Sequence, residues 1–340
     1  MRSDRLRELA QARGAGAVLL RRVQNFAWFT GGGDTRVDHA NPLGVADVVV
    51  TPDSEYVLTS TIEAPRMRAE QAVGFEVVEY PWHEGPETVL RELTGGALVA
   101  SDVGDGLNIA DEVARLRRVL DRDARGQLRA VGADAVRALH DAADAIEPGV
   151  SEHDAAAELA AALRRRNLAP HVLLAAADER IARHRHPLPF GARVERRVML
   201  VTSAERHGLY ANVTLIRDFE EPDPDTARRM RACDEVLART RDEATIAGQT
   251  LAQVFDRIRS FYAEVGFPDE WRLHHQGGMT GYASREVIAT PATDDRIEPG
   301  QAFAWNPSIT GAKAEETFLL TEDGPEVVTP RTPAVSPQPS

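Results

Sequence analysis

Short apolar runs separated by turn residues fill the first third of the chain. The runs GAVLLR, ADVVVTP, EYVLTS, FEVVEY and ALVASD are rich in valine or leucine and bounded by turn residues, which predicts strands. An amphipathic helix is predicted over SDRLRELAQARG, and a second helical run from about Leu107 to Arg125. Strands that alternate with helices predict an α/β N-terminal domain, placed at residues 1–125.

The second half of the chain repeats one pattern. AIEPGVSEHDAAAELAAALRRRNL and ATIAGQTLAQVFDRIRSFYAEVGF each contain a glycine turn, a hydroxyl residue and a long amphipathic helix. Ser151 and Thr250 are the predicted N-caps, because a hydroxyl oxygen accepts from free backbone amides. Another helix is predicted before each copy, and strands after it, so residues 126–329 are expected to hold a pseudo-twofold duplication. A chance likeness between two alanine-rich helices is the alternative.

Composition and charge restrict the partners. The net charge of −13 argues against nucleic acid or an anionic membrane, and no apolar run is long enough to cross a bilayer. Cys233 is the only cysteine, and the first residues lack the apolar stretch of an export signal, which predicts a cytoplasmic protein. The proline- and serine-rich segment at 330–340 is predicted to be a disordered tail.

Lysine usage singles out one residue. Lysine and arginine together number 40, yet Lys313 is the only lysine, which indicates a need for a compact ammonium rather than a guanidinium. On a predicted strand, Lys313 and Glu315 point to one face and Glu316 points away. A chance survivor on a strand surface, forming an ordinary ion pair, is the alternative.

Four segments carry a family resemblance. RHPLP, VMLVTSAERHGLYANVT, GGMTGYASRE and AFAWNPSITGAKAEETFLL resemble, in this order, the catalytic blocks of the creatinase and Xaa-Pro aminopeptidase family (M24). NFAWFTGG resembles the strand and turn of that family's N-terminal domain. The resemblance implies an α/β N-terminal domain followed by an α+β pita-bread C-terminal domain with an internal pseudo-twofold, and a homodimer.

The same resemblance places neutral residues where the family binds two metal ions. Thr202, Asn212, Gly278 and Asn306 stand at ligand positions, and only Glu315 is retained. Threonine, asparagine and glycine cannot offset the charge of a divalent pair, so we predict no metal and no cofactor. A metal-dependent Xaa-Pro aminopeptidase or dipeptidase is an alternative that requires a shifted alignment.

Creatinase has this fold and works without a metal, which implies a catalytic role for the matching histidine. His186 is therefore the predicted general acid and base, with His184 as the alternative, and Glu315 orients water or stabilises positive charge. Arg285 is predicted either to bind a substrate carboxylate in a bidentate fork or to pair with Glu286. The remaining predicted substrate-binding residues are Asn212, Asn306, Lys313, His275 and Gln276.

The neighbouring histidines in HHQGGMTGYASRE lack a metal-binding spacing, and His274 is predicted to be structural. The predicted function is a metal-independent hydrolase that cleaves a C–N bond in a small amide, amidine or amino-acid-derived substrate. The alternative from another class is a non-catalytic pita-bread module that binds a peptide or small ligand.

Overall fold

The computed structural model describes residues 2–330, and it divides after Arg118 into two compact units. The tail predicted at 330–340 lies, apart from Pro330, outside the described residues. Within the described residues, every helix is too short or too polar to span a bilayer.

The N-terminal unit is built on a mixed six-stranded sheet in the order β4-β3-β2-β1-β5-β6. Its first five strands are the five predicted from the apolar runs. Parallel pairing joins β1 to β5, β5 to β6 and β3 to β4, whereas β1, β2 and β3 pair antiparallel. The strands are β1 Ala17–Arg22, β2 Leu43–Val50, β3 Glu55–Ser60, β4 Glu76–Tyr80, β5 Val99–Ser101 and β6 Leu107–Asn108.

Five helices accompany this sheet, and two predictions about them are wrong. NFAWFT is part of a helix and not a strand. The consecutive residues Phe26, Ala27, Trp28 and Phe29 are all buried in this short helix, so the segment has the unbroken apolar run that is also typical of a buried strand. The helix predicted from Leu107 to Arg125 is interrupted by β6 and by a break after Arg118. The helices are α1 Arg2–Ala12, α2 Val23–Thr30, α3 Ala64–Arg66, α4 Glu87–Thr94 and α5 Ala110–Arg118.

The C-terminal unit contains two helix pairs, each followed by a sheet. The first pair precedes a three-stranded antiparallel sheet in the order β7-β8-β9, with a short helix after β7. The elements of this half are α6 Arg122–Asp144, α7 Glu152–Arg164, β7 Ala169–Ala177, α8 Glu179–Arg183, β8 Arg197–Arg206 and β9 Leu209–Asp218.

The second half follows the same plan. Its helices precede a five-stranded sheet in the order β11-β10-β12-β15-β16 and a small β13-β14 hairpin. Its elements are α9 Pro224–Arg239, α10 Leu251–Glu264, β10 Gly277–Thr280, β11 Val287–Ile288, β12 Ala302–Trp305, β13 Ser308–Ile309, β14 Ala312–Lys313, β15 Glu316–Thr321 and β16 Gly324–Val327.

The two halves repeat even in their local contacts. Ser151 caps α7 through the Asp154 amide, and Thr250 caps α10 through the Gln253 amide. Each cap residue also forms an isolated β-bridge to an arginine, Ser151 to Arg193 and Thr250 to Arg296. Those arginines donate to the carbonyls of the preceding glycine turns, at 2.7 Å to Gly149 and 2.8 Å to Gly248. The repeated contacts confirm the predicted duplication.

The two sheets of this unit meet along β9 and β15. The Asn212 amide donates to the Thr317 hydroxyl oxygen at 2.8 Å, and that hydroxyl donates to the Asn212 carbonyl at 3.0 Å. The strand hairpin and the closing strands, separated by about a hundred residues of sequence, are therefore adjacent at the middle of the unit.

Candidate active site

The register of the β8–β9 hairpin decides which side chains face the site. Ser203 lies opposite Asn212, and Thr202 lies opposite Val213. Directly opposed residues share a face and successive residues alternate, so Thr202 points away from Asn212 and donates to the Val172 carbonyl at 3.0 Å instead. Thr202 therefore lies outside the site, and Ser203 is the β8 residue whose hydroxyl contacts Asn212.

Asn212 is buried in a network of hydroxyl groups. Its Oδ1 lies 2.8 Å from the Ser203 hydroxyl and 3.0 Å from the Ser284 hydroxyl. Its Nδ2 donates to Thr280 Oγ1 at 3.3 Å and to the Ser284 carbonyl at 3.4 Å. Because both ends of the amide are engaged, Asn212 joins β9 to β10 and the turn after it.

Glu315 is held on every side by donors. Its Oε1 accepts from Arg285 at 2.9 Å, and its Oε2 accepts from the Thr214 hydroxyl at 2.7 Å. Lys313 Nζ lies 3.7 Å from Oε2, and both side chains are almost completely buried. Lys313 and Glu315 therefore lie on one face, as predicted, whereas Glu316 turns away and pairs with Arg241 at 2.6 Å.

Opposing effects set the charges of this cluster. Burial raises the pKa of the Glu315 carboxyl, but Lys313, Arg285 and the Thr214 hydroxyl together outweigh burial, so the pKa lies below its usual value. Burial lowers the pKa of the Lys313 ammonium, and Glu315 works against that shift. The cluster therefore contains one carboxylate between two cationic side chains.

Three imidazoles converge beside this cluster. The Nε2 atoms of His186 and His274 lie 3.0 Å apart, and the rings of His274 and His275 stack at 4.5 Å between centroids. One ring nitrogen from each of the three lies within 4.8 Å of the others. His274 is buried, His275 is half-buried and His186 is exposed, so the group reaches from the interior to solvent.

The surroundings lower the pKa of all three imidazoles and favour their neutral form. Burial, followed by the charge of Lys313, lowers the pKa of His274 to about 2. Burial, followed by Arg285, lowers the pKa of His275 to about 4. The pKa of His186 is lowered by the same causes, burial first and Lys313 second, and Glu315 partly opposes them. Neutral rings retain a lone pair that can accept a proton or bind a cation.

The loop that carries His274 and His275 is fixed by Gln276. Its Nε2 donates to the His274 carbonyl at 2.5 Å and to the Trp271 carbonyl at 3.2 Å, while its Oε1 accepts from the Tyr262 hydroxyl at 2.8 Å. Gln276 is thus engaged by protein groups at each end, and its role in the structure is to position the histidines.

Three buried polar atoms of this region have no hydrogen-bond partner within residues 2–330. They are Asn306 Oδ1, Arg285 Nε and His274 Nδ1. Arg285 uses its other nitrogens on Glu315 and on the Ser284 carbonyl, and pairs with Glu315 rather than with neighbouring Glu286. The unsatisfied Asn306 oxygen is a hydrogen-bond acceptor that a substrate N–H can use.

The residues at the family's ligand positions do not suit a pair of divalent ions. Both oxygens of Glu315 and the oxygen of Asn212 already accept hydrogen bonds. A Cβ on Gly278 would lie 2.1 Å from the Val287 carbonyl oxygen, so the strand pair leaves no room for a side chain there. One carboxylate, already paired with two cations, cannot hold two metal ions.

The fold and the site define a pita-bread protein with a polar, charged centre. The chain belongs to metallopeptidase family M24, whose model matches residues 126–322. The model of the creatinase/prolidase N-terminal domain matches residues 2–170. The predicted family, architecture and enzyme class, a relative of peptidases that hydrolyse C–N bonds, are confirmed.

Individual relatives agree with this assignment. The chain is 26% identical over 310 residues to a protein named "Probable dipeptidase PepE" from Mycobacterium tuberculosis, covering 83% of this chain and 80% of that protein. The Xaa-Pro dipeptidase from Bacillus anthracis superposes with a TM-score of 0.80 at 20% identity, over 98% of each chain. The prolidase from Pyrococcus horikoshii OT3 gives 0.81 at 16% identity, over 98% of this chain and 99% of the other.

Sequence reasoning missed two relationships in this site. His274 was assigned a structural role, yet its ring contacts His186, and Arg285 pairs with Glu315. His186 is 88 residues from His274 in the sequence, so a search for local ligand spacing cannot connect them. The contact of His186 with His274 also favours it over His184 as the site histidine.

Proposed function

We propose that this chain hydrolyses a C–N bond in a small peptide-like, amide or amidine substrate without the metal pair of its family. The observation that carries the proposal is Glu315, the one retained ligand position, bound by Arg285 at 2.9 Å and facing Lys313 at 3.7 Å. The side chains of Arg285 and Lys313 thus place two positive charges beside the carboxylate that stands at a metal-ligand position in the family resemblance.

The chemistry of such a cluster matches the hydrolysis of an amide. A water oxygen attacks the carbonyl carbon while its proton passes to a ring nitrogen of His186, which then returns it to the leaving nitrogen as the C–N bond breaks. Lys313 and Arg285 supply preorganised positive charge for the oxygen that becomes negative during the attack. Glu315 holds these two cations in place, and is a positioning residue in this scheme.

The substrate class follows from the relatives and from the polar groups of the site. Relatives of this chain are named as dipeptidases or Xaa-Pro dipeptidases, so dipeptides are the first compounds to test. Asn306 Oδ1 is the buried acceptor proposed to receive an N–H of the bound molecule. His275 and Lys313 are proposed to face the same ligand.

The setting proposed for this activity is the cytoplasm, with the chain acting as a homodimer on small molecules rather than on nucleic acid or membranes. The net charge of −13 supports small-molecule partners over nucleic acid and anionic membranes, and the single cysteine supports the cytoplasm. The homodimer is proposed from the family resemblance alone.

A pair of histidine variants tests the reaction. Dipeptides and small amides are screened with chelator present, and turnover is then compared in His186→Ala and in the control His184→Ala, which changes an exposed histidine two positions away. We expect His186→Ala to lose at least about a hundredfold in kcat, the usual range for a general acid–base residue, and His184→Ala to keep full turnover.

Two results would oppose the proposal. Equal turnover in both variants would remove the role of His186. Binding of a peptide with no turnover of any compound in the screen would indicate a non-catalytic module.

A further inference from the structure

A cluster of three histidines in the C-terminal unit is not part of the metal site of the family. His274 and His275 precede β10, and His186 comes from the loop after α8. One ring nitrogen of each lies within 4.8 Å of the others. This set of three imidazole ligands contains no carboxylate. It therefore differs from the carboxylate-rich set of ligands that binds the metal pair in the family resemblance.

The spacing of two of the three nitrogens is close to that of ligands on a shared ion, and the third nitrogen, which lies within 4.8 Å of the others, must approach by up to about 1.4 Å. The Nε2 atoms of His186 and His274 lie 3.0 Å apart. Zinc–nitrogen distances of about 2.0–2.1 Å place two ligands of a tetrahedral ion about 3.3–3.4 Å apart. A shift of a few tenths of an ångström, on the order of ordinary side-chain motion, therefore converts the imidazole pair into two ligands of one ion.

The cluster is held in place by the surrounding protein. Gln276 fixes the backbone of His274. The Gly277 amide donates to His275 Nδ1 at 3.3 Å, and this long hydrogen bond must break, or the ring must turn, when His275 binds an ion. The buried Nδ1 of His274 has no hydrogen-bond partner within residues 2–330, which is unusual for a polar atom at that depth. The nitrogen of this ring that is available to an ion is Nε2, which lies 3.0 Å from Nε2 of His186.

Nearby charges are paired within the protein. Lys313 faces Glu315 at 3.7 Å, and Arg185 contacts Glu270 at 2.5 Å. These pairings reduce the repulsion that Lys313 and Arg185 would exert on a bound cation. His186 is exposed, which provides an entry path and leaves a coordination position open to water.

We propose that His186, His274 and His275 form a mononuclear site for a divalent transition-metal ion, with zinc the best match to three imidazole ligands and one open position. The site requires only the three imidazoles and does not depend on the proposed reaction. A bound ion takes the ring nitrogen of His186 that the reaction uses, so zinc is expected to inhibit hydrolysis.

Direct metal binding tests this site. Full-length protein is stripped with chelator, freed of chelator and titrated with Zn²⁺ in competition with a chromophoric indicator, and Co²⁺ is followed by its visible spectrum. We expect one ion per chain and a Co²⁺ spectrum of four-coordinate type. His186→Ala and His275→Ala should each weaken Zn²⁺ binding by at least about tenfold, as removal of a ligand does, while His184→Ala binds normally.

These variants keep the test interpretable. His186 is exposed and His275 is half-buried, so neither substitution opens a cavity in the core, and circular dichroism checks the fold. Zn²⁺ binding that is equal in wild type and in the His186→Ala/His275→Ala double variant would overturn the proposal, as would no binding at all. Zinc that binds with the expected ligand dependence but activates hydrolysis would support the site and would overturn the metal-free part of the proposed function.

Discussion

Glu315 and Arg285 form a buried ion pair, 2.9 Å apart, between the residue that precedes β15 and the turn that leads into β11. Glu315 stands at a metal-ligand position of the family resemblance. The pair, together with Lys313, places fixed positive charge in the protein itself. This arrangement predicts that the protein loses stability when Glu315 loses its charge, and that turnover does not require a metal ion.

Loss of the carboxylate at position 315 should be costly. Glu315→Gln leaves Lys313 and Arg285 buried without a counter-charge, which typically destabilises a protein by about 3–5 kcal/mol. Unfolding in urea measures the change. The control Glu326→Gln disrupts an exposed pair with Arg129 and should cost about 1 kcal/mol or less. The double variant Glu315→Gln/Lys313→Met should recover part of the loss; equal losses in Glu315→Gln and Glu326→Gln would contradict the buried-cluster account.

Much of this architecture can be predicted from the sequence, because the evidence for it is local. Valine-rich runs give β1 to β5, and the paired cap motifs give the duplication through Ser151 and Thr250. Lys313 and Glu315 face each other as predicted, although β14 ends at Lys313 and Glu315 lies in the segment between β14 and β15.

The missed features depend on distance in space rather than in sequence. His186 meets His274 only because the loop after α8 folds back on the segment before β10. Arg285 has a long side chain, and its choice of Glu315 over adjacent Glu286 depends on packing that no spacing rule encodes. The family resemblance implies a strand at NFAWFTGG, whereas this chain has a helix over Val23–Thr30 with consecutive buried side chains.

Two glycines offer a matched test of the crowding at Gly278, which stands at a ligand position of the family resemblance. Gly278 and Gly281 have nearly equal φ angles of 156° and 158°, so the backbone cost of alanine is shared. A Cβ at Gly278 would lie 2.1 Å from the Val287 carbonyl oxygen, whereas at Gly281 the nearest atom is 3.7 Å away.

Gly278→Ala should therefore separate β10 from β11 and lower the free energy of unfolding by at least about 1–3 kcal/mol more than Gly281→Ala, the usual range for overpacking. Chemical denaturation of both variants measures the difference. Equal free energies of unfolding for the two variants would show that β11 moves readily to make room. A larger side chain could then be accommodated at position 278.

Asp47 in the N-terminal unit should give the protein a distinctive pH dependence. Burial raises the pKa of its carboxyl to about 7, although Arg21 opposes the shift. The pKa of Asp47 in the folded protein lies above its value in the unfolded chain. The contribution of protonated Asp47 to the free energy of unfolding is therefore fully present below about pH 4, and it is lost as the pH rises towards 7.

Asp47→Asn removes that loss. Above pH 7 the variant should exceed wild type in free energy of unfolding by on the order of 2–4 kcal/mol, since each pKa unit corresponds to about 1.4 kcal/mol. Thermal or urea unfolding between pH 5 and 8, a range centred near the raised pKa, follows the effect. A variant less stable than wild type at pH 8 would show that the pairing with Arg21 outweighs burial.

Turnover by metal-free protein is the most direct test of the central claim that fixed cations replace the metal pair. The protein is stripped with chelator, its metal content is measured by elemental analysis, and kcat/KM for dipeptide hydrolysis is determined before and after addition of Mn²⁺, which suits carboxylate ligands. We predict full turnover without metal and no gain with Mn²⁺. Activity that disappears with the chelator and returns with stoichiometric Mn²⁺ would contradict the account and would restore a two-metal peptidase.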